Sequence, residues 1–479
     1  MLPPPPRLAA LSLCLAATLV ARATPPSTDL PAWIDQAGAR PGKAVSAQFH
    51  AADFGAVGDG KTLATSAIQK AIDACAGAGG GTVDLAPGTY VSGALFLRSH
   101  VHLVVPAGAT LLGSNDETLY PDIPTRVAGI EMNWPAALIN VNGQQDVEIS
   151  GAGAIDGHGE MWWKKYWDLR AAYDPKGIRW AADYDCKRVR LIVIANSSDV
   201  TLKGVHLRRA GFWTVQVVYS DHTTVDGITI TDNSGPSTDG VDIDSSTYAL
   251  IQHCDIDNND DDICLKSGRD SDGLRVNKPT EYVVIRDNLT RRGGGVVSFG
   301  SETAGGIRHI VAYNDKGLGT SEGIRFKSAR TRGGYIEDVL IRDVSLENVK
   351  LPFTFTLNWY PSYSYAEIPE DAKDVPAYWH VLATKVEPVE RGYTTLKDIT
   401  IDHVTAKGAT RLLSATGLKD KPLGSVRWSN IVAAGQEAGA VSDAVNWTMD
   451  SVRFITADGK PLALTRCVDV ATPEVEKAR

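Results

Sequence analysis

Two short segments of the chain carry the acidic residues needed for proton-transfer chemistry. The first reads STDGVDIDS and contains Asp239, and the second reads NNDDDICLKSG and contains Asp260 and Asp261. Carboxylates held close together are costly unless they bind a cation or exchange protons. Hydrolysis of a glycosidic bond needs such a set, because one carboxylic acid protonates the leaving oxygen and a carboxylate activates water. A ladder of turn-capping acids and a calcium site are the alternative interpretations.

The spacing of these segments indicates how the fold brings them together. Asp239 and Asp260 are 21 residues apart, and short strand-like segments recur at roughly this interval. A repeat of this length is typical of a solenoid, in which neighbouring coils lie roughly 4.8 Å apart. The repeat therefore predicts that Asp239 lies beside Asp260 and Asp261.

Two basic residues follow in the segment GIRFKS. In a strand, Arg325 and Lys327 point to one side and Phe326 points inward. Two adjacent cations repel unless they share an anion, and an Arg–Lys pair suits a sugar carboxylate. A surface network of ion pairs is the alternative. Upstream of this segment, the run Gly293–Gly295 permits a close approach of backbone to ligand or forms a tight corner of a coil.

The wider pattern predicts an all-β fold, a right-handed parallel β-helix. Seventeen short strands in one series favour coils over a β-sandwich, and turn signals such as Asp-Gly and Gly-Gly separate them. Residues 65–76 have one apolar stripe and predict a helix that caps the first coil. We expect a single catalytic domain over residues 49–479.

Two aromatic-rich segments interrupt the strand rhythm, at residues 159–190 and 357–379. Long insertions on a solenoid tend to line its binding face. Trp162, Trp163 and Tyr360 are the predicted substrate contacts in these insertions, with packing of the loops onto the coils as the alternative.

The N-terminus and the bulk composition restrict location and partners. Residues 1–23 predict a signal peptide and residues 24–48 a leader, so the mature protein is expected to be secreted or periplasmic and to have no membrane span. The formal net charge of −9 argues against a nucleic-acid partner. Cys254 and Cys264 are close enough to form a disulfide or are small core residues. The expected oligomeric state is a monomer.

With these motifs in order, the chain resembles the polygalacturonase family of glycoside hydrolases over residues 54–404. The family motif Asn-Thr-Asp-Gly corresponds to residues 237–240, Asp-Asp-Cys-Ile-Ala-Ile-Lys-Ser-Gly to residues 260–268, and Arg-Ile-Lys to residues 325–327. The segment GHGEMWW at residues 157–163 is similar to a Gly-x-Gly-x-x-Trp-Trp segment of the family.

The resemblance implies roles for individual residues. Asp260 corresponds to the general acid, and Asp239 and Asp261 correspond to the carboxylates that activate water in an inverting reaction without metal or cofactor. Arg325 and Lys327 correspond to the pair that binds the galacturonate carboxylate of a pectic polysaccharide or oligogalacturonide. The predicted substrate-binding residues are Arg325, Lys327, Lys266, Asp242, Gly295, Trp162, Trp163 and Tyr360.

The chain departs from the family at one position. Where the family has the histidine of Gly-His-Gly, this sequence has Gly294 or Gly295. This departure resembles the branch of the family that acts on rhamnogalacturonan. A calcium-dependent lyase and a non-catalytic carbohydrate-binding β-helix are the other functions compatible with such a fold, since fold alone does not determine function.

Overall fold

The alternating strands coil into a parallel β-helix, as predicted. In the computed structural model, residues 29–43 and 46–479 are described. Each coil crosses three parallel sheets, which we name the cleft sheet, the back sheet and the side sheet. One antiparallel hairpin, Asp122–Val127 with Ile130–Pro135, lies outside the coils.

The cleft sheet carries the predicted site residues. Its strands are Leu95–Phe96, Ile139–Asn142, Ile192–Ala195, Val215–Val218, Val241–Asp244, Ile263–Lys266, Val297–Phe299, Glu322–Lys327, Leu351–Thr356 and Ala463–Thr465.

The back and side sheets complete each coil. The back sheet consists of Gln48–His50, Gly81–Asp84, Val101–Val104, Gln145–Ser150, Ser198–Lys203, Asp221–Asp226, Leu250–Gln252, Thr280–Arg286, Ile307–Tyr313, Thr395–Leu396 and Val468–Val470. The side sheet consists of Asp59–Leu63, Gly88–Ser92, Ala109–Gly113, Ala154–Asp156, His206–Arg208, Thr229–Thr231, Asp255–Ile256, Leu289–Thr290, Lys316–Leu318 and Glu474–Lys477. The last coils are built from long strands that span more than one sheet, Tyr335–Glu347, Ile399–Thr416, Val426–Ser442 and Val445–Thr456.

Inward-pointing side chains of the three sheets form one continuous core. Phe299, Phe326 and Phe355 stack through the interior on successive coils, with ring centroids 4.4 and 4.7 Å apart. Because Phe326 points inward, Arg325 and Lys327 point outward together, as the alternation predicts.

The predicted capping helix is present as Thr65–Gly77. Its apolar stripe, Ile68, Ala71, Ile72 and Cys75, is fully buried against the first coil. The remaining helices are Glu160–Tyr173, Ala182–Asp185, Asp270–Val276, Pro361–Ser364 and Ala377–Ala383, with 3-10 turns at Ala32–Gln36, Ala51–Phe54, Glu117–Leu119, Asp174–Lys176, Arg179–Ala181 and Val389–Gly392.

A second substantial helix is present that the sequence pattern does not predict. The insertion at 159–190 contains the helix Glu160–Tyr173, which is one residue longer than the capping helix. Trp162 and Tyr166 are buried, and Leu169 and Tyr173 continue the same side at helical spacing. The density of aromatic residues in this segment conceals that periodicity in the sequence.

The predicted leader is part of the folded structure from residue 29 onward. Residues 29–43 lie against the back sheet, where Trp33 contacts Tyr282 edge to face with ring centroids 5.4 Å apart. Arg40 forms an ion pair with Asp199 at 2.7 Å. The folded part therefore begins before residue 49, whereas the predicted signal peptide lies outside the described residues.

The cysteines of the described residues are all free. Cys254 and Cys264 are both buried, so the interpretation of this pair as small core residues is correct and the disulfide is not formed. In the part of the chain that the structure describes, no helix combines the length and apolarity needed to cross a bilayer.

Candidate active site

The three acids come together at the turns that lead from the side sheet into the cleft sheet. Val241 pairs with Ile263 in parallel register, so Asp239 lies level with Asp261 on the next coil. The backbone N–H of Gly240 donates to the carbonyl of Asp261 at 2.9 Å. A side chain at Gly240 would place its Cβ 2.3 Å from the carbonyl oxygen of Asp262, which explains the glycine after Asp239.

The carboxylates form one compact cluster, as the coil repeat predicts. One carboxylate oxygen from each of Asp239, Asp260 and Asp261 lies within 4.8 Å of the others. Asp239 and Asp261 are buried, whereas Asp260 is half-buried. This cluster has the donor atoms to hold a cation, but it also has the proximity needed to share protons.

Asp261 is the ionised member of the cluster. Its carboxylate accepts hydrogen bonds from Lys327 Nζ at 2.6 Å, from Ser298 Oγ at 2.6 Å and from Arg325 at 3.1 Å. Burial acts to raise the pKa of Asp261, but Lys327 and Arg325 outweigh it and lower the pKa well below its ordinary value. The cation pair thus shares an anion, and in this structure the anion is Asp261.

Asp239 and Asp260 are shifted in the opposite direction. Burial raises the pKa of Asp239 well above its ordinary value, and the charges of Asp242 and Asp260 add to the shift. Burial and the neighbouring Asp261 also raise the pKa of Asp260. The cluster therefore combines one ionised carboxylate with two that favour protonation, which is the distribution that acid–base catalysis requires.

Lys266 lies behind the cluster and balances its charge. Its Nζ is 3.5 Å from Asp239, 3.4 Å from Asp242 and 3.6 Å from Glu302. Asp242 is completely buried, and burial raises its pKa to about 7. Burial acts to raise the pKa of Glu302, but Lys266 and two arginines lower it to about 2, so Glu302 is ionised.

A cavity of about 140 Å³ opens above the cluster. The sequence-predicted residues that line it are Asp239, Asp260, Asp261, Lys266, Lys327 and Tyr360. The residues that sequence reasoning did not assign to the site are Ala128, Arg179, Asp183, Phe212, Trp213, Ser237, Ser301, Glu302, Trp359 and Tyr363. Arg179 and Asp183 come from the first insertion, and Trp359 and Tyr363 come from the second, so both insertions reach the cavity, and their contact with substrate stays a prediction.

Aromatic rings cover the cations of this cavity. Lys327 Nζ lies 4.6 Å from the ring centroid of Trp359, and Lys266 Nζ lies 5.0 Å from that of Trp213. The richness of residues 357–379 in Trp and Tyr is a sequence signal for Trp359 and Tyr363, whereas Trp213 stands in a short turn with no such signal.

The predicted substrate contacts by Trp162 and Trp163 are corrected to packing roles. Trp162 is 1% exposed and lies edge to face with Tyr120, 6.3 Å between centroids. Trp163 packs against the core, and its Nε1 donates to the carbonyl of Ala210 at 2.8 Å. Neither residue lines the cavity, because both lie on the face of their helix that turns toward the coils.

Three other predicted contacts, Arg325, Asp242 and Gly295, are not part of the cavity lining. Arg325 acts on Asp261, and Asp242 acts on Lys266. Gly295 leaves space for a neighbour, because a Cβ at this position would lie 2.5 Å from Ser298 Oγ, the hydroxyl that donates to Asp261.

The family profile of glycosyl hydrolases family 28 matches residues 101–365, which is more than half of the chain and includes every acid of the cluster. The chain belongs to this family. It is therefore a glycoside hydrolase of the polygalacturonase type. A second profile, for rhamnogalacturonase A/epimerase, pectate lyase-like proteins, matches only residues 48–109, which contribute nothing to the cavity.

Individual relatives extend the similarity along most of the chain. A probable polygalacturonase of Vitis vinifera is 30% identical over 433 residues, which cover 87% of this chain and 80% of the relative. An exo-poly-alpha-D-galacturonosidase of Dickeya chrysanthemi is 26% identical and covers 87% of this chain and 75% of the relative. The crystal structure of a hyperthermoactive exopolygalacturonase from Thermotoga maritima shares the fold, with a TM-score of 0.72, 24% identity and coverage of 90% and 94% of the two chains.

Proposed function

We propose that this protein is an exported hydrolase that cleaves galacturonosyl linkages of pectic polysaccharide by an inverting acid–base mechanism. The observation that carries the mechanism is the contrast between two neighbouring carboxylates, since Asp261 is ion-paired with Lys327 whereas Asp260 has no ion pair among the described residues. Asp261 is held ionised by Lys327, whereas the pKa of Asp260 is raised by burial and by Asp261 itself. The family membership and the polygalacturonase relatives support the substrate.

In this mechanism Asp260 donates its proton to the glycosidic oxygen. It is the least buried member of the cluster and so is the one most open to the cavity. Asp261, already ionised, accepts a proton from the attacking water, which lies between it and Asp239. Lys327, Arg325 and Lys266 compensate the negative charge that appears on Asp260 as it loses its proton.

The stereochemical outcome is tested directly. The cluster oxygens lie within 4.8 Å of one another, which is tighter than the roughly 6.5–9.5 Å carboxyl separation typical of inverting enzymes. The proposal that the reaction inverts the anomeric configuration therefore rests on the resemblance to the family and not on this distance. Proton NMR of the first product released from an α-linked galacturonide should show the β anomer, and an initial α anomer would replace inversion by a retaining mechanism.

We also propose that the enzyme removes residues from chain ends. Arg179, Trp359 and Tyr360 from the two insertions line the cavity beside the acid cluster, and we infer that they block passage of a continuous polymer. The Dickeya relative is described as an exo-acting enzyme. Polygalacturonate should then release reducing ends with little early loss of viscosity, whereas a rapid viscosity loss would show internal cleavage.

Substrate backbone and export have separate tests. Reducing-end release from homogalacturonan should exceed release from rhamnogalacturonan, and the reverse result would assign the enzyme to the rhamnogalacturonan branch.

Export should leave the protein in the medium or periplasm with a mature N-terminus near residue 24. Recovery of full-length protein from the cytoplasm alone would contradict export.

A further inference from the structure

One arginine of the cavity belongs to none of the sequence motifs. Arg179 is supplied by the insertion at 159–190 and lines the cavity together with the catalytic acids. Its side chain is 11% exposed and lies near two tyrosine rings, with its Cζ 5.5 Å from the centroid of Tyr360 and 5.1 Å from that of Tyr363. The rings restrict the guanidinium to one position at the cavity wall.

The charges around Arg179 leave an excess of one positive charge. Asp183 forms ion pairs with both Arg179, at 2.7 Å, and Arg188, at 3.0 Å. Two guanidinium groups thus share a single carboxylate, and Arg188 is completely buried. Elsewhere in the cavity Glu302 is offset by Lys266, Arg269 and Arg332. A buried excess charge favours an anionic ligand at this point.

Arg179 also keeps unused hydrogen-bonding capacity. A guanidinium carries five N–H donors in a planar fork. The hydrogen bond to Asp183 uses the terminal nitrogen Nη1, and Nε is buried, so Nη2, which has no hydrogen-bond partner among the described residues, is the nitrogen left for a ligand. This leaves the planar group able to take a second carboxylate.

The position of Arg179 is tied to the catalytic loop. Ser237 Oγ donates to Asp183 at 3.2 Å, and Arg188 donates to the carbonyl of Pro236 at 2.6 Å. Pro236 and Ser237 directly precede the segment that carries Asp239. The anion site is therefore held at a fixed place relative to the reacting bond.

We propose that Arg179 binds the carboxylate of the uronic acid residue that occupies this cavity, and that it selects an acidic sugar over a neutral one. This inference rests on the proposed function. Lys327 and Arg325, the pair expected to bind a sugar carboxylate, are already engaged by Asp261. Asp183, unlike Asp261, has no part in the proposed proton transfer and keeps Arg188 as a partner, so Arg179 can bind a new anion without changing the protonation of the acid cluster.

Kinetics of two variants on an oligogalacturonide tests the proposal. Arg179→Gln should raise KM about 10- to 100-fold, the range expected for loss of a hydrogen bond between charged groups, with a smaller change in kcat. The KM of Arg179→Lys should lie between that of the unmodified enzyme and that of Arg179→Gln, because lysine keeps the charge but lacks the planar pair of donors. Lys176→Gln is the matched control, since it removes the same charge from an exposed position three residues away and should leave KM unchanged.

A measurement on the unmodified enzyme keeps the test independent of folding. Free galacturonate should inhibit much more strongly than galactose, and Arg179→Gln should weaken only inhibition by galacturonate. Equal inhibition by the two sugars, or an unchanged KM in Arg179→Gln, would overturn the proposal for Arg179. Neither result would contradict the hydrolysis of galacturonides. Failure of the unmodified enzyme to hydrolyse any galacturonide would instead overturn the proposed function.

Discussion

Lys327 Nζ lies 2.6 Å from Asp261 Oδ2, and this contact joins a strand of the cleft sheet to a turn two coils away. The contact gives Lys327 a direct effect on the protonation of the cluster. By holding Asp261 ionised it preserves the proton acceptor at acidic pH. The ionised Asp261 in turn raises the pKa of Asp260. The ion pair between Lys327 and Asp261 thus influences the pKa of the proposed base, Asp261, and through it the pKa of the proposed acid, Asp260.

Replacing Lys327 with Met should therefore shift the pH dependence of the reaction. Loss of the cation raises the pKa of Asp261 toward its ordinary value, so the ionised form is lost at a higher pH. The acidic limb of the pH profile of kcat/KM should move to higher pH by about one unit or more, the usual effect of a neighbouring opposite charge on the pKa of a carboxyl group. Activity should fall most at low pH, as measured by initial rates across the acidic range.

The control for this change is Lys316→Met. Lys316 lies on the side sheet, is 47% exposed and pairs with Glu347, so its removal should leave the profile in place. Arg325→Gln should move the limb in the same direction as Lys327→Met. An unshifted acidic limb in both site variants would show that Asp261 is not the group that titrates in catalysis.

Asp260→Asn should abolish most turnover while leaving the fold intact. The amide keeps the shape of the side chain and can still accept the N–H of Asp261, which Asp260 Oδ1 accepts at 3.0 Å. It cannot donate a proton to the leaving oxygen, and loss of general acid catalysis typically costs roughly 10²–10⁴ in rate. Reducing-end assays with circular dichroism check both parts, and near-normal activity in the folded variant would refute the assignment.

Several features of the site were predictable because they depend on regular geometry. Parallel register places equivalent residues of successive coils side by side, so the spacing of Asp239 and Asp260 predicted their contact. Strand alternation likewise predicted that Arg325 and Lys327 share a face. These relationships follow from the two periods of the fold, the coil and the strand.

Other features depend on how insertions fold back, and no sequence period describes this. Arg179 reaches the cavity through a helix and a 3-10 turn, far from Asp260 in the sequence. Trp162 was expected at the cavity but faces the core, because a segment rich in Trp does not indicate which side of its helix is covered. Binding of a sugar carboxylate by Arg325 and Lys327 stays a prediction, whereas the contact of both cations with Asp261 was not predicted from the sequence.

The glycine at position 295 should be required because of the hydroxyl beside it. Gly295→Ala places a Cβ 2.5 Å from Ser298 Oγ, which is too close, and so displaces the hydroxyl that donates to Asp261. Both Gly295→Ala and Ser298→Ala should lower kcat/KM by about tenfold, the lower range for a hydrogen bond to a charged group. Because both changes remove the same contact, the double variant should lose little more than either single one. If the losses of the two single variants add up in the double variant, Gly295→Ala does not act through the hydrogen bond between Ser298 and Asp261.

Chelation tests whether the acid cluster works with protons or with a cation. The oxygens of Asp239, Asp260 and Asp261 are close enough to hold a divalent ion. However, Lys327, Arg325 and Lys266 already place three positive charges against the cluster, at 2.6, 3.1 and 3.5 Å from their nearest acids in it. A divalent ion would be repelled by these groups and would keep Asp260 ionised, which removes the proposed acid. Activity on polygalacturonate should therefore survive EDTA and gain nothing from calcium. If EDTA abolished activity, calcium restored it and the product absorbed in the ultraviolet, the enzyme would be a lyase and not a hydrolase.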